Sequence, residues 1–282
     1  MKLKPKFVEK PWGRTGLAAA PAHLRETRIG EIWFEAPLGQ KLPLLIKHIV
    51  TAERLSVQVH PDDAQARAMG LPGGKSESWY ILDAAPDSTL ALGLAEPASV
   101  EEVRAAAADG SIERLLHWQP VRAGDFYHVP AGTIHAIGPG VSLIEVQQPA
   151  DVTFRLYDYG RPRALHLEDA LAVARRAPYP QDLIKRASAD RGTLFVAGPQ
   201  FALFAAAGRR GAGALDDRER FAFVNSGTAE AEGEKAQAGE CLFLPKGTKL
   251  DCSSDAMLLI AAEGEWAAGA VAPLKTERRR AA

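Results

Sequence analysis

A chain of 282 residues that is 46% hydrophobic is long enough for one large or two medium globular units with cores of their own. Its 34 Lys and Arg stand against 35 Asp and Glu, a formal net charge of -1, with no basic stripe interleaved with aromatics, so nucleic acid is excluded as an expected partner. No stretch has the ~20 apolar residues of a membrane span, and Cys241 and Cys252 lie outside any CxxC spacing, which excludes a disulfide framework and points to a cytoplasmic protein without membrane contact.

In chain order, residues 2 to 35 show little periodicity beyond a Pro11-Trp12-Gly13 turn and the start of a strand at Gly30 to Phe34. Short β-rich runs bounded by turn residues follow: Leu44 to Val50, Arg54 to His60, Glu77 to Asp83, Thr89 to Leu94, Phe126 to Val129, Ser142 to Gln147 and Val152 to Tyr157. Strands of this length and spacing predict a sandwich or barrel. Helices interrupt them at Asp62 to Met69, after the capping box Ser99-x-x-Glu102 as far as Gly110, at Ile112 to Trp118, and at Leu167 to Arg176. Pro178, Pro180 and the polar residues to Arg191 mark a boundary.

Beyond the boundary the pattern is again β-rich: Thr193 to Ala197, Phe201 to Ala206, Arg220 to Asn225, Glu230 to Glu232, Glu240 to Leu244 and Met257 to Ala261. An internal repeat appears when Ala238 to Leu250 is laid under Ala123 to His135. Ala-Gly-acid and then Pro-x-Gly-Thr match without a gap, and Leu250 stands where the first copy has His135. The expected organisation is a metal-binding unit at 1–186 with a helical insertion around 95–120, a second, degenerate β unit without metal ligands at 187–270, and a basic tail at 271–282.

The first copy carries the chemistry. A Pro-x-Gly turn between strands, with proline fixing φ and glycine accepting positive φ, aims His135 back across a sheet. In Gln58-Val59-His60 the residues i and i+2 of a strand point the same way, and Glu77 opens the next strand after Lys75. Gln58, His60, Glu77 and His135 thus offer two imidazoles, a carboxylate and an amide oxygen. That set suits zinc with room for water or substrate, and the count of two His and one carboxylate also fits non-haem iron. Alternation places Glu145 on one face of its strand with Leu143 and Gln147, and Arg155 on one face of the next with Thr153 and Tyr157. Two adjacent strands would then bring an acid and a guanidinium to the site, either as a proton-transfer group and an anion clamp or as a structural ion pair. For His23, His48, His117, His128 and His166 a structural role is the expectation. No Walker or Rossmann loop and no Gly-x-Ser-x-Gly elbow occurs.

Gly124 and the sequence Pro130-x-Gly132-x-x-His135 resemble the second cupin motif. Together with Pro11-Trp12-Gly13, Ile29 to Trp33, Leu55 to Pro61, Gly74 to Tyr80 and Arg155-Leu-Tyr-Asp158, they resemble the type I phosphomannose isomerases in their short bacterial form. The resemblance is strong over the first 160 residues or so and continues beyond them only as a degenerate repeat. It implies a mainly β fold of two cupin-type barrel or jelly-roll units. It also implies one zinc ion at the positions matching Gln58, His60, Glu77 and His135, with Lys75 and Arg155 lining the substrate site and Glu145 near the sugar. The chain departs from the eukaryotic enzymes in lacking their long helical insertion.

The resulting expectation is an aldose-ketose isomerase that interconverts mannose 6-phosphate and fructose 6-phosphate through an enediol. Glu145 would move the proton between C1 and C2, Arg155 and Lys75 would neutralise negative oxygens, and Ser56 would hydrogen-bond the sugar. The partner is a small sugar phosphate, and the chain is a monomer or homodimer. The alternatives are an isomerase or epimerase of another sugar phosphate, and a non-catalytic sugar-sensing cupin.

Overall fold

The structure, a computed structural model, describes residues 1–188 and 192–266; the expected tail at 271–282 and the end of the expected linker at 189–191 lie outside the described residues. The chain divides into two compact units, one of residues Lys4–Arg186 and one of Met1–Leu3 with the chain from Ala187 onward.

The first unit contains β1 (Lys4–Arg14), β2 (Ile29–Glu35), β3 (Leu45–Val50), β4 (Val57–Val59), α1 (Asp63–Ala68), β5 (Glu77–Ala84) and β6 (Thr89–Leu94). It continues with α2 (Val100–Asp109), α3 (Ile112–Leu115), β7 (Leu116–Pro120), β8 (Asp125–Val129), β9 (His135–Ile137), β10 (Val141–Gln147), β11 (Phe154–Tyr157), α4 (Leu167–Val173) and β12 (Ile184–Arg186). A seven-stranded sheet in the order β1-β2-β3-β10-β5-β8-β12 faces a five-stranded sheet in the order β11-β4-β9-β6-β7. Between them Ile49, Trp79, Ile81 and Leu143 of the large sheet pack against Leu90, Leu92 and Ile137 of the small one. The other face of the small sheet, with Val57, Val59 and Ala136, is covered by Val103 and Ala107 of α2 and by Ala170 and Val173 of α4. Fully burying each of these Val or Leu side chains contributes roughly 1.5–3 kcal/mol, and the small sheet is apolar on both faces except where the site lies.

The second unit contains β13 (Thr193–Ala197), β14 (Phe201–Ala207), β15 (Arg220–Ser226), β16 (Thr228–Ala231), β17 (Glu234–Gln237), β18 (Cys241–Leu244), β19 (Asp251–Cys252) and β20 (Met257–Glu263). Its sheets run β13-β14-β20-β15-β18 and β17-β16-β19. The fold is therefore mainly β with few helices, and none of the four sheets closes into a barrel among the described residues. Both cysteines are free and buried.

Several elements differ from expectation. Residues 4–14 form a long strand whose two prolines, Pro5 and Pro11, hid it. β1 is an edge strand bonded only to β2, so a missing N–H costs no ladder bond. The expected helix at Ile112 to Trp118 stops at Leu115, and Ala91 of β6 pairs with Trp118 of β7. Part of the expected linker is a strand, with Ile184 of β12 opposite Tyr127 of β8. The run at Glu230 is half of a hairpin whose turn residues, Glu232 and Gly233, have φ of 52° and 80°, the signs that a tight type I′ connection requires. The capping box of α2 and the left-handed Gly110 that ends it are as the residues imply, and α1 has a capping box of its own, from Asp62 and Gln65.

Candidate metal centre

The centre is assembled where β4, β5 and β9 meet between the two sheets. In β4 the side chains of Val57 and Val59 point into the helical layer, so Gln58 faces the interior, and it pairs directly with His135 across the β4–β9 ladder. His60 follows β4, and its carbonyl accepts the Gly132 N–H at 2.8 Å, which ties the turn before His135 to the strand carrying the other imidazole. Gly132 has φ of +86°, and a Cβ there would lie 3.1 Å from the Val173 carbonyl, so the turn needs glycine on both counts. Glu77 is the first residue of β5.

His60, Glu77 and His135 each present a ligand atom, all within 4.8 Å of one another, and all three residues are buried. His60 Nε2 lies 3.5 Å from Glu77 Oε2, and His135 Nε2 lies 3.5 Å from Glu77 Oε1. On the far side of each ring Nδ1 faces a carbonyl that can only accept, that of Val152 at 2.7 Å from His60 and that of Thr133 at 2.9 Å from His135. Each Nδ1 therefore carries the proton, and each Nε2 turns a lone pair toward the centre. Burial pushes the His135 pKa down to about 4 and that of His60 well below its ordinary value, with the nearby Lys75 charge adding to the second shift. Both rings are neutral at pH 7, the form that ligates a metal. Glu77 is fully buried and its Oε1 accepts no hydrogen bond, which a cation in the centre would correct. The Gln58 amide lies against the same point, with Nε2 3.2 Å from His135 Nε2 and Oε1 accepting the Ser56 hydroxyl at 3.1 Å. A half-turn of the amide presents its oxygen to the centre instead.

Beside these groups is a polar cavity of about 210 Å³, whose walls include Ser56, Gln58, Lys75, Glu145 and Arg155. The Lys75 ammonium donates to Glu77 Oε2 at 2.6 Å and to His60 Nε2 at 3.2 Å. Burial works against its charge, but the carboxylates of Glu145 and Glu77 raise its pKa, so Lys75 stays protonated. Glu145 Oε2 accepts the Trp79 indole N–H at 3.3 Å, while its buried Oε1 has no hydrogen-bond partner. Burial and then the Glu77 charge raise the Glu145 pKa, a direction that suits a group which must take and return a proton near neutral pH.

Glu145 and Arg155 are not on adjacent strands as expected. β10 lies inside the large sheet and β11 at the edge of the small one, so the two side chains reach the cavity from opposite walls. No ion pair joins them among the described residues; the cations near Glu145 Oε1 are Lys47 at 3.4 Å and Lys75 at 3.8 Å. Lys47 escaped the sequence reading. It is buried, with Nζ 2.8 Å from Asp151 Oδ1 and 4.7 Å from the Trp33 ring centre. The available signal was a lysine in the middle of the apolar run Leu44 to Val50. Arg163, also in the cavity wall, had no such signal.

No family model matches the chain. Mannose-6-phosphate isomerase of Streptococcus mutans is 44% identical over 137 residues, which are 46% of this chain but only 43% of that protein. Mannose-6-phosphate isomerase ManA of Bacillus subtilis is 33% identical over 218 residues, 64% of this chain and 69% of the relative. Among solved structures, the mannose 6-phosphate isomerase from Bacillus subtilis superposes with a TM-score of 0.76 at 26% identity, covering 93% of this chain and 98% of its own. A zinc-bound mannose 6-phosphate isomerase shares the fold at a TM-score of 0.67 and 15% identity over 93% of this chain and 99% of its own. Identity to one third along two thirds of a full-length relative, with one fold over nearly the whole chain, means that this protein belongs to the mannose-6-phosphate isomerase family.

Proposed function

We propose that the chain is a zinc-dependent aldose-ketose isomerase that interconverts mannose 6-phosphate and fructose 6-phosphate through an enediol. Family membership supports the reaction class. The observation that carries the reading is the buried Oε1 of Glu145, which among the described residues accepts no hydrogen bond, has only Lys47 and Lys75 at ion-pair distance, and lies at a polar cavity beside the His60, Glu77 and His135 cluster.

The donors fit zinc: two neutral imidazoles, a buried carboxylate with an unsatisfied oxygen, and Gln58 as a neutral oxygen donor. When bound, zinc supplies Lewis acidity that polarises a sugar oxygen. The chain's own groups do the rest. Ser56 hydrogen-bonds the open-chain sugar, and the Lys75 ammonium, held in place by Glu77, stabilises the negative oxygen that develops as the C2–H bond breaks. Glu145 takes the proton from C2 of the aldose and returns it to C1 of the enediol, while a second proton passes from O2 to O1. The Trp79 N–H on Oε2 leaves Oε1 of Glu145 for the substrate.

The test is proton NMR of mannose 6-phosphate in deuterated water, with and without a chelator. Fructose 6-phosphate and deuterium at C1 or C2 are expected only with metal present. Turnover by metal-free protein overturns the mechanism, and metal-loaded protein that neither turns over nor exchanges favours another sugar phosphate as substrate or a sugar-binding module. Glu145→Gln is expected to lower kcat by roughly 10²–10⁴-fold with metal content unchanged; a parallel loss of metal would make Glu145 a structural residue.

A further inference from the structure

The second unit keeps the frame of the metal centre and changes what stands in it. In the first unit the Gly124 N–H donates to the Ile81 carbonyl at 2.9 Å, and in the second the Gly239 N–H donates to the Val224 carbonyl at 2.8 Å. β15 therefore follows β5 residue for residue, and Arg220 takes the place of Glu77. The Gly132 N–H donates to the His60 carbonyl and the Gly247 N–H to the Asp216 carbonyl, both at 2.8 Å. Asp216 thus takes the place of His60, and Ala214, two residues earlier, that of Gln58. Leu250 answers to His135 in the repeat. A set that gathers lone pairs around a cation has become one with a positive charge of its own at the middle.

Nothing on the page neutralises that charge. Arg220 shares a face of β15 with Ala222 and Val224, which pack with Leu242, Leu244 and Leu250 in the core of the unit, and it is 0% exposed. Among the described residues Nη2 donates to the Thr248 carbonyl at 2.6 Å, while Nε and Nη1 are buried and have no partner. Asp216 is exposed, and Asp217 is held by Arg218 at 3.0 Å. Burial pulls the Arg220 pKa down although both carboxylates act against that direction. A guanidinium keeps its proton even so, and a buried charge without a partner is among the costliest groups a core can hold.

An anion against Nε and Nη1 would settle the charge and both donors at once. One guanidinium balances one negative charge, and the surrounding side chains are those of leucine, valine and alanine. A second charge on the ligand would be left in an apolar core, which selects a small monovalent ion over phosphate or sulfate. We propose that the second unit binds a halide or an ion of similar size and charge at Arg220, in the position that Glu77 holds in the metal centre. The repeat has then kept an ion site in each copy and reversed its sign in the second. This site is independent of the isomerase reading, since no part of it touches the sugar cavity.

The experiment compares sodium chloride with sodium gluconate at equal ionic strength, so that screening cancels, and reads amide hydrogen exchange of β15 and β18 by mass spectrometry on the full chain. With one site, exchange that requires opening of the unit is expected to slow about tenfold for each tenfold rise in chloride above its Kd. Arg220→Met, which keeps an unbranched apolar side chain, should lose that dependence. Asp216→Asn, which removes a like charge beside the bound ion, should bind chloride severalfold more tightly. Crystals soaked in bromide should show an anomalous peak within hydrogen-bond distance of Arg220 Nε or Nη1. Equal exchange in the two salts overturns the proposal, as does equal slowing in wild type and Arg220→Met, or a water in place of bromide. A chloride effect that appears only in Asp216→Asn also overturns it, because Asp216 is then the partner of Arg220 in solution. If Arg220→Met fails to fold, the bromide map of the wild type decides.

Discussion

Lys47 shows why a residue can line a site and be passed over in the sequence. Its strand reads Leu-Leu-Ile-Lys-His-Ile-Val, an apolar run in which one cation looks like a surface interruption. The partners that explain it, Glu145 and Asp151, are remote in sequence, and the Trp33 ring comes from a third strand. Gln58, His60, Glu77 and His135 were legible because strand alternation and one turn are local rules that point side chains without knowledge of the partner strand. Arg163 was not, because its orientation depends on a returning loop and on the Asp158 carboxylate, 2.6 Å from its Nε. Replacing Lys47 by Met removes the ammonium between two carboxylates. Breaking a buried pair from one side costs about 3–5 kcal/mol, and Asp151, at 40% exposed, recovers part of that from water. A loss of roughly 2–4 kcal/mol is expected in urea unfolding, with metal content unchanged. A loss below about 1 kcal/mol would show that Lys47 does not carry the charge balance of this wall.

At the scale of elements, the Pro-x-Gly-Thr turn occurs twice in the same register. Glu77 of β5 lies opposite Val129 before the first turn, and Arg220 of β15 lies opposite Leu244 before the second. Arg220 is fully buried and donates to the Thr248 carbonyl at 2.6 Å, whereas the matching carbonyl of Thr133 receives the His135 Nδ1–H in the first turn. The repeat was readable because turn chemistry is written in single residues. β1 and β12 were not, since an edge strand needs neither strict alternation nor freedom from proline. The two glycines give a matched test. Gly247 has φ of +76° with nothing within 4 Å of an added Cβ, whereas Gly132 has φ of +86° and meets Val173 O at 3.1 Å and Arg175 Cγ at 3.2 Å. Gly247→Ala is expected to cost about 1–2 kcal/mol from left-handed backbone alone. Gly132→Ala should cost more and, because His135 stands three residues on, should also weaken zinc binding severalfold by competition titration. Equal costs with unchanged zinc affinity would separate the turn from the metal centre.

For the molecule as a whole, the metal cluster lies entirely within the unit Lys4–Arg186, so its occupancy is expected to bear first on the stability of that unit. The tryptophans allow the two to be read apart. Trp12, Trp33, Trp79 and Trp118 lie in that unit and Trp266 in the other. In a Trp266→Phe variant, indole fluorescence therefore follows the first unit alone, while far-ultraviolet circular dichroism follows the strands of both. A ligand that binds only the folded state stabilises it by RT ln(1 + [L]/Kd), about 2.7 kcal/mol at a hundredfold excess over Kd. Saturating zinc should shift the fluorescence transition in urea upward by that order, and a chelator should return it. The circular dichroism curve should then split, one part moving with the fluorescence and one part indifferent to metal. If both probes stay superimposed and move together on adding zinc, the two units unfold as one and the energy of the centre is shared across the whole chain.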